Sequence, residues 1–125
     1  MKTVDEWKAL LRKRIRAALG AKDKPALAVL RETLAAIDNA EAPAMAGSAS
    51  PAQKEGPFAG SAGSLGAGEV ERLALTPEAI LQLVEREIRE RQEAAAEYTR
   101  LGRPQEAGVL VAQAELLAAL ITEAA

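Results

Sequence analysis

The stretch Thr76-Pro77-Glu78-Ala79-Ile80-Leu81-Gln82-Leu83-Val84-Glu85-Arg86-Glu87-Ile88, running on through Tyr98 to Gly102-Arg103-Pro104, decides the fold class. Thr76 offers a capping hydroxyl, Pro77 suits a first helical position that needs no amide donor, and Glu78 sits at the positive end of the helix dipole. Ile80, Val84, Ile88, Ala95 and Tyr98 then recur at helical spacing along one face, without the alternation of a strand. Gly102 stops that helix, because glycine takes the left-handed backbone beyond a helix end without a Cβ penalty. Arg103-Pro104 restarts the chain as a helix whose stripe is Leu110, Ala114, Leu117 and Ile121, widened by Val109, Val111 and Leu120.

Towards the amino terminus the same period returns. Val4, Trp7, Leu10, Leu11, Ile15, Ala18 and Leu19 share a face, and Gly20 is the expected stop. Asp23 reads as the cap of a second helix, with Pro25 in its first turn and Leu27, Leu30, Leu34 and Ile37 as its stripe. So short a link makes the first two helices antiparallel neighbours. Between residues 42 and 68, prolines and glycines punctuate Ala and Ser with few apolar anchors. Such a segment cannot offset its ordering entropy by burial, so it is expected to be a disordered insert, with Phe58 at a solvated tip rather than docked. The reading is therefore all-α: a single domain, a four-helix bundle over residues 4–19, 24–40, 77–101 and 104–122, with a long disordered insert between helices 2 and 3.

Composition narrows the chemistry. Hydrophobic residues make up 49% of the chain but aromatics only 2%, so the core is built from small aliphatic side chains and modest stability follows. Trp7 is expected in the core; Tyr98 is expected to pack its ring and leave its hydroxyl at the rim. There is no cysteine and no histidine, which removes disulfides, thiolate metal sites and the commonest general base. Ser48, Ser50, Ser61 and Ser64 fall in the insert without a base to activate them, and its glycines follow no strand and precede no Gly-Lys-Ser/Thr. No catalytic residue, metal site or cofactor is expected. No apolar run of roughly 20 residues is evident, and the start does not read as a signal peptide, so the expected setting is the cytoplasm, away from membranes.

Charge is unevenly spread. Eight basic residues against three acidic through Lys24 leave +5 there and −7 beyond, for a net −2. Arg12, Lys13, Arg14 and Arg16 are candidate contacts to an anion such as RNA, although helical pitch spreads them around much of the cylinder and favours a solvated face. On the third helix Glu85–Arg89, Arg86–Glu90, Glu87–Arg91 and Arg89–Glu93 are each four apart, which points to a salt-bridged surface rather than an acid–base pair.

With the helices placed, a family resemblance is visible. Val29-Leu30-Arg31, then Leu34 through Asn39-Ala40-Glu41, resembles the second helix of YqeY-like proteins (the GatB/YqeY family). Glu85 through Arg91, Tyr98 and the Gly102-Arg103 turn resemble the family's third helix, and Glu115 and Leu117 continue the likeness into the fourth. The resemblance covers most of the chain outside the insert. It implies an amino-terminal four-helix bundle, and a link to glutamine-dependent tRNA amidotransferase and its carbon–nitrogen ligase activity. It implies tRNA or an amidotransferase subunit as partner. Leu120-Ile121-Thr122 stand where the family has Tyr-Leu-Pro leading to a tRNA-associated second bundle, so only the amino-terminal part is expected. Asp38 stands where lysine is frequent. Arg31, Asn39 and Glu41 carry over as contacts inside the bundle, because a buried arginine needs acceptors. The resulting expectation is a non-catalytic module. The alternative is a homo-oligomerising interaction module that uses the Leu110–Ile121 stripe and has no RNA role.

Overall fold

A computed structural model describes residues 1–42 and 73–124. It contains four helices, α1 (Val4–Ala21), α2 (Lys24–Glu41), α3 (Pro77–Arg100) and α4 (Pro104–Ala124), and no strand among the described residues. Each boundary falls close to its sequence expectation. Residues 43–72 lie outside the described part, and with them the disorder expected there and the placement of Phe58.

The helix starts are local and legible. The Ala26 N–H donates to Asp23 Oδ1 at 3.2 Å, and the Ala79 N–H donates to Thr76 Oγ1 at 3.0 Å. Thr3 adds a capping box, with the Glu6 N–H donating to Thr3 Oγ1 (3.2 Å) and the Thr3 N–H donating to Glu6 Oε1 (2.8 Å). That backbone hydrogen bond from Thr3 holds the Glu6 carboxyl below its ordinary range. The resulting stabilisation is present above the unfolded-chain pKa and is lost as pH falls through the lowered folded value.

The first helix end differs from expectation. Gly20 remains helical, and Lys22 takes the left-handed conformation with φ 58°. The Lys22 N–H donates to Leu19 O (3.2 Å) and the Asp23 N–H to Ala18 O (2.9 Å), a closure that ends α1 one residue before Asp23 caps α2. The two-helix turn, not the glycine, sets the register. At the α3–α4 turn glycine does serve: Gly102 has φ 75°, its N–H donates to Thr99 O (3.0 Å), and the Arg103 N–H donates to Tyr98 O (2.8 Å). A Cβ at Gly20 would meet nothing within 4 Å. Gly20→Ala and Lys22→Gly are therefore each expected to stabilise the fold by about 0.5–1 kcal/mol, and Gly102→Ala to destabilise it by about 1 kcal/mol. Thermal melting resolves this, since 1 kcal/mol moves the midpoint by roughly 4–8 °C in a domain of this size.

One compact unit comprises residues 1–37 and 75–125, of which those through 124 are described. Its core takes Trp7 and Leu11 from α1, Val29, Leu30 and Ile37 from α2, Ile80, Leu83 and Val84 from α3, and Ala114, Leu117 and Leu120 from α4. α3 packs directly on α4, forming a helical hairpin. Gln113 Nε2 of α4 donates to the Pro25 carbonyl at 2.9 Å, and Arg14 of α1 pairs with Glu123 of α4. Three residues expected on buried stripes face outward instead: Leu19, Val109 and Val111 are exposed. In the second unit, residues 38–74, the Leu73 N–H donates to Glu41 O at 2.8 Å, so the described residues flanking 43–72 meet.

α4 bears on membrane crossing by length and composition alone, a test that a helix of a bundle core also passes. Over Pro104–Glu123 it is the one described helix long and apolar enough, by length and composition, to cross a bilayer. Alanines supply much of its apolarity, around Gln105, Glu106, Gln113 and Glu115.

Candidate functional site

The sequence-marked polar residues divide between interior and surface. The α3 stripe has a gap of seven between Ile88 and Ala95, and Arg91 occupies the missing position. A residue three past Ile88 and four before Ala95 must share their face. Arg91 is accordingly buried, only 8% exposed. Its Nη1 donates to Glu87 Oε1 (2.8 Å) and to the Glu87 carbonyl (3.2 Å), while Nη2 donates to Glu32 of α2. Its Nε is buried without a hydrogen-bond partner among the described residues.

This arrangement is a strut from α3 to α2. Two carboxylates oppose one guanidinium, so its charge is matched internally rather than offered to an anion. Glu32 keeps much of its surface in water, which limits the desolvation penalty, whereas Glu87 is largely covered. Arg91→Ala leaves the Glu87 carboxylate covered without its cation and is expected to lower stability by about 2 kcal/mol. Arg91→Met keeps most of the packing and should lose less. Chemical denaturation of both variants provides the check. Both lack the cation, so equal losses would show that the aliphatic packing of Arg91 contributes nothing, and wild-type stability of Arg91→Met would show that the ion pairs contribute nothing.

The resemblance placed a different arginine inside. Arg31 is exposed, as is Asn39, so neither is the bundle-internal contact expected of it; of that trio only Glu41 is buried. At 3.6 residues per turn Arg31 follows the buried Leu30 by about 100° and so leaves the core face, whereas Thr33 stays on it and satisfies its hydroxyl on Val29 O at 2.8 Å. Tyr98 is half-buried, and the Arg103 guanidinium lies 5.7 Å from its ring centroid while also donating to Glu106 Oε2 at 2.9 Å. Tyr98, Gly102 and Arg103 are thus brought together as one turn.

The charged surfaces also depart from expectation. Of the four i,i+4 pairs expected on α3, only Glu87–Arg91 closes; Glu85, Arg86, Arg89, Glu90 and Glu93 are exposed and make no ion pair among the described residues. On α1 the basic residues do not scatter. Trp7, Leu11 and Ala18 define the core face, and at about 100° per residue Arg12, Lys13 and Arg16 fall together on the opposite side. All three are exposed, and Arg14 is turned aside to Glu123. Among the described residues no group of three or more carboxylates is placed to hold a metal ion. The chain matches no family model, and comparison with curated proteins and with solved structures returns no match.

Proposed function

We propose that this chain is a non-catalytic YqeY-like helical module that serves tRNA-dependent amidation in the cytoplasm by binding, not by carrying out the ligase step. The observation that carries the reading is Arg91. Of the positions marked by the resemblance it is the buried, charged one on α3, and its guanidinium is occupied by Glu87 and Glu32. A side chain committed in this way supports a structural motif over a reacting one. The Tyr98–Gly102–Arg103 turn supports the same view, since its marked residues shape the α3–α4 hairpin. The test is to isolate the tagged full chain and identify what accompanies it. Enrichment of tRNA or of an amidotransferase subunit is expected; recovery of neither overturns the proposed association. Ammonia release from glutamine by the purified chain with charged tRNA would overturn its non-catalytic part.

A second reading, a self-associating interaction module, is favoured by a specific feature of α4. The Leu110–Ile121 stripe first considered for that role turns into the bundle, with Ala114 and Leu117 buried and Leu110 and Ile121 half-buried. Val109 and Val111 are instead exposed, at 43% each, on the two flanks of that stripe. Sedimentation of wild type and Val111→Asp decides this reading: a concentration-dependent dimer abolished by the substitution supports it, and a monomer at all concentrations removes it.

A further inference from the structure

The outward face of α1 presents Arg12, Lys13 and Arg16 as a contiguous cationic surface with no ion-pair partner among the described residues. From Trp7 to Lys22 the chain contains no acidic residue at all. We propose that this face binds the phosphate backbone of a double-helical nucleic acid, without reading its sequence. The inference goes beyond the amidation reading, since any duplex would satisfy it.

Two observations favour this partner. The acid-free stretch is about 22 Å long at 1.5 Å per residue, more than twice the Debye length of about 8 Å at physiological salt. Acidic residues beyond the ends of the stretch are therefore screened from its middle, and Glu123 of α4, which reaches that middle, is taken up by Arg14, so the three remaining cations govern the encounter. Arg12 and Arg16 stand about 6 Å apart along the helix axis, with Lys13 between them, which suits phosphates that advance about 3.4 Å per residue along a strand.

The partner class is narrowed by what α1 does with its apolar side. A helix lying in a membrane surface buries an apolar face in lipid. Here Trp7, Leu11 and Ala18 are already in the protein core, and outside the cations are accompanied by Ala9, Ala17, Gly20 and one large apolar side chain, Leu19, too little to form a lipid-buried face. Single-strand binding uses exposed aromatics as stacking platforms. Trp7 is 1% exposed and the Tyr98 ring lies beneath Arg103, so neither described aromatic is offered to a base. Contact restricted to phosphates on a duplex remains.

Neutralising three phosphates gives a slope of about −2.7 in log affinity against log salt, or about 40-fold weaker binding between 50 and 200 mM. The experiment is a fluorescence-anisotropy titration of the full chain against labelled 20-base-pair RNA and DNA duplexes. Comparable affinity for the two and that salt slope are expected. The Arg12→Glu/Lys13→Glu/Arg16→Glu variant should lose binding while melting as wild type does, because all three side chains are exposed. If it melts early, the neutral Arg12→Gln/Lys13→Gln/Arg16→Gln variant takes its place with the same expectation. Arg31→Glu/Arg86→Glu/Arg89→Glu changes net charge equally at exposed positions of α2 and α3 and should bind within about twofold of wild type.

Undiminished binding by the α1 variant overturns the proposal, as does equal loss in both charge-reversal variants, which would leave only net charge. More than tenfold preference for one duplex rejects phosphate-only contact, and equally tight binding to phosphatidylserine vesicles rejects the nucleic acid. Purified components are used throughout, so failure of tRNA or an amidotransferase subunit to accompany the chain does not bear on this outcome.

Discussion

Leu117→Asp is expected to unfold the bundle, while Val111→Asp on the same helix leaves it folded. Leu117 is 0% exposed, on the α4 face that packs inward, whereas Val111 is 43% exposed at the flank of that face. A carboxylate forced into an apolar interior either stays charged at a penalty of several kcal/mol or takes up a proton at a similar one. With the loss of leucine packing, a destabilisation above about 6 kcal/mol follows. A domain of this kind has about 5 kcal/mol or somewhat more in hand, and a core rich in alanine sits towards the lower end. Helical circular dichroism at 25 °C should therefore collapse for Leu117→Asp and be unchanged for Val111→Asp, whose stability effect stays within about 0.5 kcal/mol. Native melting of Leu117→Asp would mean that this seam faces water, and the core assignment for α4 would fail. The contrast also makes Val111, and not Leu117, the usable probe of self-association.

Trp7→Ala should be nearly as severe. Trp7 is the one tryptophan of the chain and is 1% exposed. It contributes the largest buried side chain to a core otherwise filled by Leu, Ile, Val and Ala. Truncation removes its transfer free energy and leaves a cavity that short alanine side chains on neighbouring helices cannot collapse to fill, for a loss of about 3–5 kcal/mol. The melting midpoint should fall by roughly 15 °C or more. Trp7→Phe, which retains much of the apolar volume, should lose less than half as much. If the two variants melt together near wild type, Trp7 does not organise the core.

Read from residues alone, the four helices and most of their ends are legible because the interactions that make them lie within a turn or so of one another. Thr76 caps Ala79, Asp23 caps Ala26, and Gly102 closes α3 through Thr99 and Tyr98. The Thr3–Glu6 capping box belongs to the same class and was legible in principle, as a hydroxyl three residues before a carboxylate ahead of an apolar stripe. The basic face of α1 was only half legible, because the four cations taken together spread around the helix and it is the pairing with Glu123 that separates Arg14 from the three on the outward side.

Helix existence, spacing and caps follow from local sequence, since these depend on neighbours a few positions away. The tertiary structure alone decided which side of each helix is covered. It placed Arg91 inside and Arg31 outside, turned Val109 and Val111 to water, joined Arg14 to Glu123, and moved the left-handed turn residue from Gly20 to Lys22. The physical reason is that burial and ion pairing depend on groups distant in sequence. Glu32 and Arg91 lie 59 residues apart, and no period within α3 announces that a carboxylate on α2 will be waiting for its guanidinium.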